Sequence, residues 1–357
     1  MTVATKDKEG KNSNNGRPTF WLNQNDKALT GTIFMHQTTG KSLIGLSLAL
    51  TTAILWGMLP IALKILLDVL TANTITAIRF LAAAVIVGLW LGARGKLPTM
   101  ALLRQYKVTW LMLIAVIGLL SNYIMYLNGL NYLSAETGQV VIQLAPFLMM
   151  LGGVIIFKER LLLWQKVGAC VLVAGLLLFF NERLVALVLQ ASSETLGVLL
   201  VIAAGITWAA YALAQKQLLQ HYSSKQIMYL LYVAGTVAFV PVSELAPMLS
   251  MSQLQWGLLV FCCLNTVVAY GAFAEALHHW EASKVSAVLA VTPLFTILFA
   301  NITGWVFPSY LAPQHLNAWS WLGALLVVTG SALTALAPQF VQYRAARRVK
   351  KLQRDVF

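Results

Sequence analysis

The chain reads as an all-α integral membrane protein. Ten transmembrane helices form two inverted five-helix repeats, with both termini in the cytoplasm. Three observations predict this fold. Hydrophobic residues make up 59% of the 357, charged residues only 10%, and the mean hydropathy is +0.75; a soluble domain carries roughly 25% charged residues. Ten segments are apolar over about the 20 residues that a spanning helix needs: 43–63, 74–92, 109–130, 135–157, 163–180, 195–215, 226–246, 256–278, 284–306 and 319–337. The third observation is that the chain nearly repeats itself.

The repeat begins at the first span. Ser42–Leu67 lies without gaps on Glu194–Leu219 at an offset of 152, with Gly45/Gly197, Trp56/Trp208, Ala62/Ala214 and Lys64/Lys216 identical. Ala135 and Pro146 match Ala282 and Pro293 at an offset of 147, and Gly168 and Gly175 match Gly323 and Gly330 at 155. The boundaries follow: a polar tail over 1–41, one repeat over 42–181, a second over 193–337, and a basic tail over 338–357. The first tail lacks the apolar core of a cleavable signal peptide and reads as disordered. Met35, just before the first span, is a candidate start.

Charge sets the orientation. With the N-terminus inside, twenty-two Lys and Arg fall on cytoplasmic segments and two, Lys64 and Arg183, fall outside. That asymmetry is the positive-inside rule. Five helices is an odd number, so the second copy enters the membrane in the opposite direction to the first. Two inverted copies of one half are a sequence signature of transporters. The net charge of +13 sits in tails and alternate loops, which argues against nucleic acid. The expected partners are a small-molecule substrate and the lipid bilayer.

Several motifs occur in duplicated order. They are Trp56-Gly57 with its copy at Trp208, Arg79-Phe80, Glu136–Leu151, Glu281–Leu298, and Lys158–Leu178 with its Glu-containing turn. Together they resemble the EamA type of the drug/metabolite transporter superfamily over residues 42–337. The resemblance implies a bacterial inner-membrane secondary transporter, with export of amino acids or related metabolites. An uncoupled facilitator or exchanger is the alternative. The second repeat departs from the pattern: it has an uncharged loop where Glu159 would have its counterpart. The first helix lacks the membrane-embedded Glu of four-helix multidrug relatives.

Ionisable residues within a membrane are costly and default to functional candidates. Here they form two clusters, one at each mouth. Lys64, Asp68, Arg79 and Glu136 lie toward the outside; Lys216, Glu275, Glu281 and Lys284 lie toward the inside. The expected gates are Lys64 or Arg79 with Glu136, and Lys216 or Lys284 with Glu275, which is also the candidate for proton coupling. Snorkelling cations and helix-terminal acids give a purely structural alternative. At the midplane, Trp56, Asn122, Tyr126, Gln143, Trp208, Tyr211, Asn265 and Tyr270 are candidates for a substrate cavity of aromatic walls with a few polar groups. Core packing and interhelical hydrogen bonds are the competing uses.

Pro60, Pro146 and Pro293 are candidate hinges, because proline removes an intrahelical hydrogen bond. The fifth and tenth spans carry glycines seven apart, which suits close packing on each other or across a homodimer. An enzyme is not expected. No HExxH, GxSxG or phosphate-binding glycine loop occurs, and Cys170, Cys262 and Cys263 lack metal or redox spacing. Neighbouring His278 and His279 point about 100° apart on a helix. No metal or cofactor is implied, and without a nucleotide motif any driving force is a gradient.

Overall fold

The structure is a computed structural model and describes residues 42–99, 101, 104–157, 162–181, 192–279, 285, 288–308, 316–334 and 336. Both tails, the Glu159 turn, the linker between the halves, Glu281 and Lys284 lie outside these. All regular structure among the described residues is helical: α1 (Ser42–Leu67), α2 (Ala72–Ala93), α3 (Tyr106–Tyr132), α4 (Ala135–Val141), α5 (Leu144–Phe157), α6 (Leu163–Phe179), α7 (Ser193–Leu218), α8 (Ser224–Phe239), α9 (Gln253–His279), α10 (Thr292–Val306) and α11 (Ala318–Thr334). Six of them (α1, α2, α3, α7, α8 and α9) are long and apolar enough to cross a membrane, and α6, α10 and α11 are shorter apolar helices.

Prolines explain where the helices depart from the expected spans. The fourth span breaks at Ile142-Gln143 into α4 and α5. Pro146 has no N–H for the Ile142 carbonyl, and Ala145 N–H takes that carbonyl instead at 2.8 Å. In the second half Pro293 frees the Leu289 carbonyl, which accepts from Thr292 Oγ1 at 2.6 Å. Pro146 is thus the third residue of α5 and Pro293 the second of α10, so each stands just past a break rather than in mid-helix. Pro60 alone of the three lies inside a continuous helix. The seventh span ends at Phe239, short of its expected limit, because Pro241 converts the chain to a 3₁₀ turn.

Hydroxyl caps start five helices: Thr71, Ser134, Ser192, Ser223 and Ser252 each accept from a backbone N–H in the first turn. Thr71 and Ser223 stand one repeat offset apart.

The packing exchanges the two halves. The most extensive contacts are α3 with α7 and α1 with α9, so the first helix of each half packs on the third helix of the other. Single residues keep the offsets. Asn122 Nδ2 donates to the Ala204 carbonyl at 2.9 Å; at the equivalent place Thr52 Oγ1 donates to the Ala269 carbonyl at 3.4 Å. One turn away, Asn265 Nδ2 reaches the Leu55 carbonyl at 2.6 Å, and its counterpart Gly118 sits directly on the Thr207 carbonyl. Both pairs of helices run antiparallel.

Residues one offset apart also touch each other. The Phe80 and Tyr232 rings lie 5.8 Å apart between α2 and α8. The Tyr123 and Tyr270 hydroxyls approach each other between α3 and α9. Gln143 Nε2, at the break between α4 and α5, donates to the carbonyl of Ala290 at 3.1 Å. On α6 and α11 the glycines meet crosswise rather than one offset apart, Gly168 with Gly330 and Gly175 with Gly323: a Cβ at Gly168 would lie 2.8 Å from the Gly330 carbonyl oxygen, and one at Gly175 2.9 Å from that of Gly323. These glycine faces are therefore filled within one chain. Asn181 and Asn317 exchange amide hydrogen bonds at the same interface, at 3.3 and 3.2 Å.

Candidate functional site

Arg79 is the most deeply buried charge among the described residues. It sits on the second turn of α2, 2% exposed. Its Nε donates to Thr266 Oγ1 on α9 at 3.1 Å. That hydroxyl is turned to accept, since its own proton goes to the Cys262 carbonyl at 2.8 Å. The guanidinium lies over the Tyr123 ring, 4.9 Å from its centroid. Among the described residues, no carboxylate comes within ion-pair distance of Arg79, and none supplies an acceptor for its two terminal nitrogens. Taking an ion out of water costs several kcal/mol, so this charge is held by a ring face and one hydroxyl where a counter-ion is the usual solution.

Aromatic rings surround this point. Phe80 packs 4.6 Å from Tyr123. Tyr270 continues the wall from Tyr123 and meets Trp56 edge-on at 5.2 Å; Phe273 lies 5.7 Å beyond that ring. Tyr232 OH donates to the Thr266 carbonyl at 3.3 Å. On the other side Tyr211 OH donates to Met228 Sδ at 3.3 Å, with Trp208 at its edge. Tyr126, one turn from Tyr123, donates to Gln139 Oε1 at 3.2 Å. Among the described residues the layer is aromatic with a few hydroxyls and one cation, which suits a small solute carrying one negative group on an apolar body.

Of the sequence candidates, the structure brings Trp56, Tyr270 and Arg79 into this layer, through Tyr123. Trp208 and Tyr211 pack against the same core cluster. Asn122, Asn265 and Gln143 act as interhelical ties, each donating to a carbonyl of the other half. Asn265 Oδ1 is the one fully buried side-chain oxygen or nitrogen without a partner among the described residues.

In this structure neither Lys64 nor Arg79 pairs with Glu136, the contact expected of an outer gate. Lys64 Nζ donates to the Leu130 carbonyl, and to that of Asn131 at 3.3 Å, so it caps the C-terminal end of α3. A helix end leaves carbonyls unsatisfied and attracts a cation, and that demand outweighs pairing with an acid. Glu136 is buried at the start of α4, bonded to its own N–H and to Ser134; Arg79 lies elsewhere. At the opposite end Glu275 meets His279 at 3.3 Å, and its side chain is 55% exposed. Lys284 lies outside the described residues, as does the side chain of Lys216.

Sequence reading missed Tyr123 and Thr266. Tyr123 had a signal: it stands 147 residues before Tyr270, so the third and eighth spans carry the same residue at the same place. Thr266 had none, since a threonine in an apolar helix most often bonds its own backbone.

The model of the EamA-like transporter family matches twice, at residues 43–181 and 195–336. A protein of Escherichia coli K12 called "Uncharacterized inner membrane transporter YhbE" is 42% identical over 85% of this chain and 93% of its own length. An "Uncharacterized transporter" of Haemophilus influenzae is 41% identical over 85% of this chain and 98% of its own. A more distant relative, the "Probable amino-acid metabolite efflux pump" of E. coli K12, shares 22% identity over 79% and 92% of the two chains. A solved crystal structure has the same fold, with a TM-score of 0.56 at 18% identity, covering 83% of this chain and 98% of that one.

Proposed function

Because the chain belongs to the EamA-like transporter family, we propose that it is a secondary transporter that carries a small organic metabolite across the bacterial inner membrane by alternating access. The observation that carries this reading is the meeting of repeat-equivalent residues at the centre: Phe80 with Tyr232, Tyr123 with Tyr270, and Gln143 with Ala290. Two copies that touch through matched residues can rock about those contacts, opening one mouth as the other closes. The antiparallel run of α1 against α9 and of α3 against α7 supports two inverted repeats, and the excess of Lys and Arg on alternate loops supports both termini in the cytoplasm. The broken fourth span and the break before α10 supply backbone ends beside the same centre.

The distant relative named as an amino-acid metabolite efflux pump supports export of amino acids or related compounds. An uncoupled exchanger is the second reading. Glu275, the candidate for proton coupling, is half-exposed against His279, where a coupling carboxylate would be expected to be buried.

Counterflow in proteoliposomes tests both readings, with amino acids, organic acids and amines as the panel and with or without a pH gradient. Transport predicts accelerated uptake of at least one class into vesicles preloaded with it. Coupled transport predicts that a pH gradient changes the net flux. Folded protein that moves no member of the panel would overturn the transporter reading.

A further inference from the structure

We propose that Arg79 is the substrate's carboxylate anchor: the transported solute carries a carboxylate that seats on the two terminal nitrogens of this guanidinium, with its apolar body against Tyr123, Tyr270 and Trp56. The inference deepens the transporter reading and rests on it.

Three observations converge. The guanidinium is buried at 2% exposure with no described carboxylate in reach. Its orientation is set from two sides, by Thr266 Oγ1 at 3.1 Å on Nε and by the Tyr123 ring at 4.9 Å beneath it. That leaves one edge of the planar fork, with its parallel N–H groups, for a bidentate acceptor. The site also stands beside the Tyr123–Tyr270 contact, where the two halves meet, so both mouths could reach it in turn.

A charge without a counter-ion among the described residues gains one when the solute binds. That gain favours carboxylates over equally shaped neutral amides. The repeat sharpens the point. The residue equivalent to Arg79 in the second half is Leu231, fully buried. The anchor is therefore single, and the solute binds in one orientation relative to the two halves.

The test compares matched acids and amides, benzoate against benzamide and L-leucine against L-leucinamide, by ligand-induced thermal stabilisation of the purified full-length protein. Wild type should prefer the acid of a pair at least tenfold, about 1.4 kcal/mol. Arg79→Gln should bring that ratio close to one. Arg79→Lys should keep the charge but lose the fork, and so retain only part of the preference. Thr266→Val should lower acid affinity severalfold and leave amide affinity unchanged, which serves if the glutamine variant does not fold. Equal binding of acids and amides by wild type, binding of neither, or an acid preference that survives Arg79→Gln would overturn the anchor. Counterflow keeps this result apart from the transporter reading: carboxylate flux that persists in Arg79→Gln refutes the anchor and leaves transport standing.

Discussion

Gly323→Ala should be among the most damaging single-methyl changes in the protein. A Cβ at Gly323 would lie 2.3 Å from Phe179 N, 2.7 Å from the Gly175 carbonyl oxygen and 2.7 Å from Phe179 Cα. All three are backbone atoms, which cannot rotate aside. Ordinary contact begins near 3.4 Å, so α6 and α11 would have to part by about 1 Å along their shared seam. That separation would loosen the Gly168–Gly330 contact and the Asn181–Asn317 amide pair as well. Overpacking of this kind costs about 1–3 kcal/mol. Gly271→Ala is the control. Gly271 also lies inside a long helix, but a Cβ there meets nothing within 4 Å, and replacing glycine by alanine in a helix gains up to about 1 kcal/mol. Equilibrium unfolding in mixed micelles should separate the two variants by about 1–4 kcal/mol. If they unfold within about 0.5 kcal/mol of each other, the backbones of α6 and α11 do not meet as described, and the reasoning fails.

Four other expectations follow from the contacts. Gly235→Ala sets a Cβ 1.9 Å from Phe80 Cδ2 and should cost about 1–3 kcal/mol, with part of the loss recovered in the Phe80→Leu/Gly235→Ala double variant; an additive double variant would deny the contact. Asn122→Ala should cost about 0.6 kcal/mol and at most about 1.7. Asn265→Ala should cost less, because it also removes an oxygen that has no partner; the reverse order in urea midpoints would contradict this. Lys64→Met should destabilise by about 1 kcal/mol through loss of the cap on α3. A cycle with Glu136→Gln should be additive within about 0.5 kcal/mol, whereas a coupling above that would restore the outer gate. Ser223→Ala, which removes the cap of α8, should cost about 1 kcal/mol, read as faster hydrogen exchange in the first turn of α8.

Apolar length and the offsets of the repeat carry much of this account, because both are written directly in residue order. Gly168/Gly330 and Gly175/Gly323 illustrate the limit: spacing announces a close face, but only the packing says which helix fills it. Pro146 and Pro293 were legible as interruptions. Their place just past a break was not, since it depends on Ala145 and Thr292 taking over freed carbonyls. Lys64 misled for a related reason. An acid such as Glu136 is visible in a sequence, whereas the bare carbonyls at the end of α3 are a property of the folded backbone. Arg79 was conspicuous as a charge in an apolar span, yet its use depends on Thr266 and Tyr123, which reach it from a distant helix and from the next one.

Alternating access is the central claim, and paired accessibility measures it most directly. In a background with Cys170, Cys262 and Cys263 replaced, single cysteines would be placed at Asn131, beside the Lys64 cap, and at Glu275, at the opposite end. Reaction with a membrane-impermeant maleimide would be followed in proteoliposomes of defined orientation, before and after addition of a solute shown to undergo counterflow. The account predicts that the solute moves the two rates in opposite directions, each by severalfold. Rates that rise or fall together, or that stay fixed while flux proceeds, would contradict it.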